Sequence, residues 1–208
     1  HNAEPVMTMK TAGHDSFGAV IFTTKENKKL NRLDDLKGKK FGAVQRSSFS
    51  GWQMAQKEFI DAEIDAYEFL STLRFFETHP AVVKAVLHGK VHAGTVRTGI
   101  LESMAEQGEL RMEDVTILNG KHYFNFPFAS STSLYPEWVL ARTATTAPEL
   151  AEQMVTALSA LTAEDPPAQD AQFSSWTDPL DYASVEELQQ QLQIGAYKKP
   201  VEKSEHAW

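Results

Sequence analysis

Between Gly18 and Leu118 short apolar runs alternate with helical patterns, and this alternation limits the possible folds more than any other feature of the chain. Gly18–Thr24, Phe41–Val44, Tyr67–Leu70, Val91–Val96 and Val115–Leu118 are short and rich in β-branched or aromatic residues, as buried strands are. Three helical patterns stand between them. One follows Gly51 and carries Met54, Phe59 and Ile60 on its inner face; one starts at Thr78-His79-Pro80 and holds Val82, Val83, Val86 and Leu87, with Gly89 placed to close it; one runs from about Ile100 to Gln107. Strand–helix alternation of this kind predicts an α/β fold with a mostly parallel sheet flanked by helices. Ligands of such sheets collect outside the carboxyl ends of the strands. Arg46–Ser50, Thr78-His79 and Arg97-Thr98 all fall at that edge.

The richest chemistry lies in Lys39–Ala55, KKFGAVQRSSFSGWQMA. A strand passes through a small polar loop into a helix start, where unpaired backbone N–H groups and the helix dipole favour an anion. Ser47, Ser48 and Ser50 can complete such a cradle, and Arg46 adds charge nearby. Ser50 equally suits an ordinary helix N-cap, so cap and ligand site stand side by side at this point.

Beyond Val115–Leu118 the pattern changes. Asn119–Tyr135 is aromatic and irregular, and two helices follow, announced by the pairs Thr146/Glu149 and Ser184/Glu187, each spaced as a capping box. Glu164–Gln172 reads as a linker, and Lys198–Trp208 as a mobile tail. At 208 residues the chain accommodates one sizeable core or two small lobes. A net charge of −8 argues against a general nucleic-acid binder, since phosphate affinity needs clustered Lys and Arg. The absence of cysteine removes disulfides, thiolate metal sites and cysteine catalysis together. No apolar run reaches the roughly 18 residues of a membrane span. The opening His1-Asn2-Ala3 lacks an initiator Met and reads as the start of a trimmed chain or of a mature fragment, with flanking targeting or membrane segments left out.

Other chemistries fit poorly. No Gly-x-Ser-x-Gly elbow accompanies Ser50 and His79, so a serine hydrolase is not expected. His88 and His92 are four apart, but Gly89 ends the helix between them and breaks the geometry for a shared metal. Neither metal nor cofactor is expected. Trp52, Phe49, Phe126 and Phe128 are read as core before cleft, and Trp138 and Trp176 as packing for the C-terminal helices.

Three separated segments, LDDLKGKKFGAVQRSSFSGWQMA, THPAVVKAVLHGKVHAGTVRTGILE, and LYPEWVLA followed by LQIGAY, resemble the phosphate/phosphonate-type periplasmic binding protein family. They are more narrowly similar to its sensor branch, in which such a domain is the extracytoplasmic input of a membrane-bound histidine kinase. The resemblance covers about Phe17 to Tyr197. It implies a type II periplasmic-binding fold with ligand between two lobes, the hydroxyl loop (Ser47, Ser48, Ser50) and His79 holding the oxyanion. An acidic residue that grips the amino group of aminophosphonates in some members corresponds to Gly99 here, whereas Arg97 favours a ligand of greater negative charge. The family has further strands and helices before the segment matching Gly18–Thr24. A nearly complete second lobe and a partial first lobe are therefore expected, with self-association, as a homodimer, covering exposed apolar surface.

The expectation is thus a hinge segment over residues 1–27, lobe II over 28–118, and returning hinge and helices over 119–208. The site residues are Ser47, Ser48, Ser50, His79, Arg97 and Thr98, and the ligand is a small anion. The domain itself is not an enzyme; its partners are the transmembrane and kinase parts of its own full-length chain, and its location is periplasmic or otherwise extracytoplasmic, membrane-tethered. The alternative is the solute-binding component of a phosphonate-type ABC importer.

Overall fold

The computed structural model describes residues 3–198, so His1, Asn2 and all of the predicted tail after Lys198 lie outside it. In chain order the first strands are β1 (Ala3–Lys10), β2 (Ser16–Phe17), β3 (Ala19–Thr24) and β4 (Lys40–Ala43). Then come α1 (Met54–Asp61), α2 (Ala66–Phe69), β5 (Thr72–Phe75), α3 (His79–Leu87), β6 (Ala93–Arg97), α4 (Ile100–Glu106) and β7 (Val115–Leu118). The chain ends with β8 (Tyr135–Pro136), β9 (Val139–Thr143), α5 (Pro148–Ser159), α6 (Pro166–Ala171), β10 (Ser175–Thr177) and α7 (Ala183–Leu192).

The main sheet has the order β5-β4-β6-β3-β7. β4 pairs in parallel with β5 and β6, and β3 is antiparallel to both β6 and β7. Four strands therefore point one way and β3 alone runs against them. The reason lies in the connections: only a single 3-10 turn, Leu33–Leu36, separates β3 from β4, whereas helices carry the chain back between β4 and β5 and between β5 and β6. A parallel return needs such a crossover; a short reversal does not.

Alternation along the strands feeds two cores. Ile21, Phe41 and Ala93 face Trp52 and Phe59 on one side of the sheet, while Val20, Phe22 and Val96 face Val82, Val86 and Leu101 on the other. Ile60, expected inside, is outward, and Ala55 joins Met54 and Phe59 on the buried side of α1. Along β3, Ser131 Oγ accepts the Ile21 N–H at 2.8 Å and Thr132 Oγ1 accepts the Ala19 N–H at 2.9 Å. Buried hydroxyls thus take the place of a strand partner there.

A second, antiparallel sheet has the order β10-β1-β9. It brings Ala3–Lys10 against residues more than 130 positions away, and nothing in the local pattern announced it. The β2–β8 pair, Phe17 opposite Tyr135, joins this part to the main sheet.

Three local readings are corrected. Tyr67–Leu70 is not a strand: Asp65 accepts the Tyr67 N–H at 2.9 Å and caps α2, and the strand follows as β5. Glu164–Gln172 is not a linker, since Pro166 starts α6. Neither capping box forms. Pro148 opens α5 after Ala147 while Thr146 Oγ1 accepts the Thr143 N–H, and α7 begins at Ala183 with Ser184 already inside it.

Candidate functional site

The chain leaves β4 at the carboxyl edge of the main sheet and enters Gln45–Ser50. Ser48, not Ser50, is the N-cap: its Oγ accepts the Gly51 N–H at 3.1 Å. The first turn, Phe49–Gln53, is π-type, with the Gln53 N–H reaching back to the Ser48 carbonyl at 3.1 Å. Within this wide turn Gly51 lies against the strand end. A Cβ there would fall 2.4 Å from Ser48 Oγ and 2.6 Å from Val44 Cβ. Arg46 points elsewhere, its guanidinium 5.1 Å from the centre of the Tyr67 ring.

The same edge receives the ends of β5 and β6. Thr78 caps α3 by accepting the Ala81 N–H, and His79 follows as the first helical residue. The Arg97 N–H donates to His79 Nδ1 at 3.2 Å. Burial, with the Arg97 charge second, pulls the imidazole from 6.5 down to about 4. At neutral pH the ring is uncharged, Nδ1 is an acceptor already in use, and Nε2 carries the donor hydrogen.

Ser47, Ser48, Ser50, His79 and Arg97 all line one cleft of about 710 Å³, between the main-sheet edge and the elements β1, β9, α6 and α7. That volume lies within the roughly 300–1,000 Å³ of small-molecule sites. Thr98 is set behind this wall: it is buried, and its Oγ1 accepts the Gly18 N–H at 3.1 Å, fixing the entry to β3.

The opposite wall supplies residues that sequence reasoning missed. Glu137, only 1% exposed, forms an ion pair with Arg97. Its Oε2 also accepts the Trp138 N–H at 3.3 Å, and its carbonyl accepts the Tyr182 hydroxyl at 2.6 Å. The Arg97 guanidinium lies 3.9 Å from the centre of the Phe17 ring. Arg97 is therefore not the free cation expected from sequence; Glu137 offsets its charge. The signal was present as a lone carboxylate inside the apolar run of LYPEWVLA, a place where an acid needs a partner. Trp138 does not pack on the C-terminal helices; it is 64% exposed and lines the cleft with Phe49. Among the described residues no group of three or more His, Asp or Glu is placed to hold a metal ion.

A hydroxyl loop, a neutral imidazole donor and an arginine at one sheet edge can together hold the oxygens of a small acid. Residues 1–191 match the profile of the family described as "ABC transporter, phosphonate, periplasmic substrate-binding protein". The chain belongs to this phosphonate-binding family. It is a family of binding rather than catalytic domains, and its periplasmic setting supports an extracytoplasmic location.

The chain is similar to the tetrathionate sensor histidine kinase TtrS of Salmonella typhimurium, with 28% identity over 172 residues. The match covers 82% of this chain but 27% of that protein, so the chain spans about a quarter of its relative's length. Among solved structures, a binding component of a Pseudomonas aeruginosa ABC phosphonate transporter superposes with a TM-score of 0.68 at 16% identity, covering 92% of this chain and 63% of that one. PhnD1 from Prochlorococcus marinus, in complex with methylphosphonate, gives 0.66 at 14%, covering 92% and 72%. A Xanthomonas citri protein bound to ATP gives 0.66 at 18%, covering 90% and 69%. These likenesses establish the type II periplasmic-binding fold for the phosphonate-binding family member described here.

Proposed function

We propose that this domain binds a small anion, an oxyanion or phosphonate-like compound, in the cleft, and that it serves as the ligand-sensing input of a membrane-bound signalling protein, a histidine kinase. The observation that carries the binding reading is the convergence of Ser47, Ser48, Ser50, His79 and Arg97 on one cleft at the carboxyl ends of β4, β5 and β6. The similarity to TtrS supports the sensor reading. In this account the main sheet and its helices move as one lobe, and β1, β9, β10 and the C-terminal helices make the other. The expected boundary at residue 28 shifts, because β3 (Ala19–Thr24) lies between β6 and β7 in the main sheet and belongs to that lobe, not to a hinge. Ligand shifts the open–closed balance only by its differential affinity for the closed form, and the kinase and transmembrane parts of the full-length protein read that shift.

The family description favours a second reading, the solute-binding component of an ABC importer. The two differ in the gene: a sensor encodes an apolar span of about 20 residues and a kinase module after this domain, and an importer component does not.

The binding claim is tested by thermal shift against phosphate, methylphosphonate, sulfate, thiosulfate, tetrathionate and small dicarboxylates. At least one anion is expected to raise the midpoint, with the shift reduced in Ser50→Ala and His79→Ala. A shift of equal size in both variants would show that the anion binds elsewhere.

A further inference from the structure

The cleft is much larger than an oxyanion requires. A tetrahedral anion displaces the volume of a few waters, each about 30 Å³ of liquid, and about 710 Å³ is available. The two walls differ in chemistry. On the main-sheet side the serine hydroxyls and His79 are uncharged donors. The one lining cation among the described residues is Arg97, and Glu137 already holds it. A second full charge on the ligand would thus enter a cleft whose lining offers it no counter-charge.

The other wall is apolar. Trp138, 64% exposed, and Val139, 41% exposed, follow directly after Glu137, with Met9, Val185 and Ile194 around the same space. Their position is tied to the anion end, because the Trp138 N–H donates to the carboxylate that pairs with Arg97. Uncovered apolar surface of this kind, adjoining a cluster of donors, gains free energy when a ligand covers it.

We propose that the ligand of this cleft is an organic oxyanion of low charge, with a compact acid head on the serine loop and His79 and an apolar, aryl-sized body against Trp138 and Val139. This rests on the reading of the cleft as an anion site and narrows it to a ligand class. Calorimetric titration of two matched pairs, methanesulfonate with benzenesulfonate and methylphosphonate with phenylphosphonate, tests it, at a pH below the second ionisation of the phosphonates so that all four are monoanions, with sulfate and tetrathionate as doubly charged competitors. The aryl member of each pair is expected to bind about tenfold tighter or more, and tighter than either dianion. Trp138→Ala and Trp138→Leu are expected to close the gap within each pair; the wild-type comparison does not depend on either variant. Equal affinities within the pairs, a preference for sulfate or tetrathionate, or a gap that persists in both Trp138 variants would overturn the inference and leave the anion site standing. Failure of every compound to bind would overturn both.

Discussion

Arg97 shows how a residue's role depends on the group facing it. Read alone it is a cation awaiting an anion; in the fold it is half of an ion pair with the buried Glu137 and rests on Phe17. Removing one partner of such a pair strands the other charge out of water. Arg97→Ala is accordingly expected to lower the unfolding free energy by about 3–5 kcal/mol, measured by denaturant titration, and Glu137→Gln in the same background to restore part of it. A loss below about 1 kcal/mol would mean the pair behaves as a surface contact. His79 leads to a pH prediction. Its imidazole is held near 4 in the folded protein, against 6.5 when exposed. Between those values the unfolded chain takes up a proton that the native ring refuses, so stability falls as the pH drops. Relative to His79→Asn, the wild type should keep its full stability above pH 6.5 and lose it steadily toward pH 4; a flat difference would place a charged imidazole in the native state.

At the scale of elements, the turn from β4 into α1 depends on one glycine. Gly51→Ala would force a Cβ to within 2.4 Å of the Ser48 hydroxyl and against Val44. It should cost about 1–3 kcal/mol and weaken anion binding by displacing the loop that carries Ser47 and Ser50, both read by denaturant melts and titration; unchanged stability would contradict the packing described. The strands β3, β6 and β7 and the helix α3 were legible in the sequence because each carries its own local signal: β-branched runs, a proline in the first helical turn, Gly89 after the helix. The turn itself was legible as a loop entering a helix, but with Ser50 rather than Ser48 offered as its cap. The failures are equally physical. Tyr67–Leu70 looked like a strand because its composition is aromatic, while Asp65 decided for a helix by capping it. Thr146 and Ser184 matched a motif by spacing, but Pro148 and the earlier start at Ala183 fixed where those helices begin. The three-stranded sheet was invisible, since its register, such as Met9 opposite Trp176, is set by contacts far apart in sequence.

At the scale of the whole molecule, one wall of the cleft was readable and the other was not. The wall from the main sheet follows from topology, because the loops after β4, β5 and β6 must emerge at one edge. The facing wall, with Glu137, Trp138 and Tyr182, comes from the antiparallel sheet and the C-terminal helices, which reach the site only through long-range pairing. The likeness to solved phosphonate-binding proteins carries the overall fold. Whether an anion sits between the two walls is decided by a crystal structure of the domain grown with saturating methylphosphonate. Phosphonate oxygens are expected within hydrogen-bonding distance of the Ser47, Ser48 or Ser50 hydroxyls and of His79 Nε2. Phosphonate bound outside the cleft, with those groups facing only water, would contradict this binding mode.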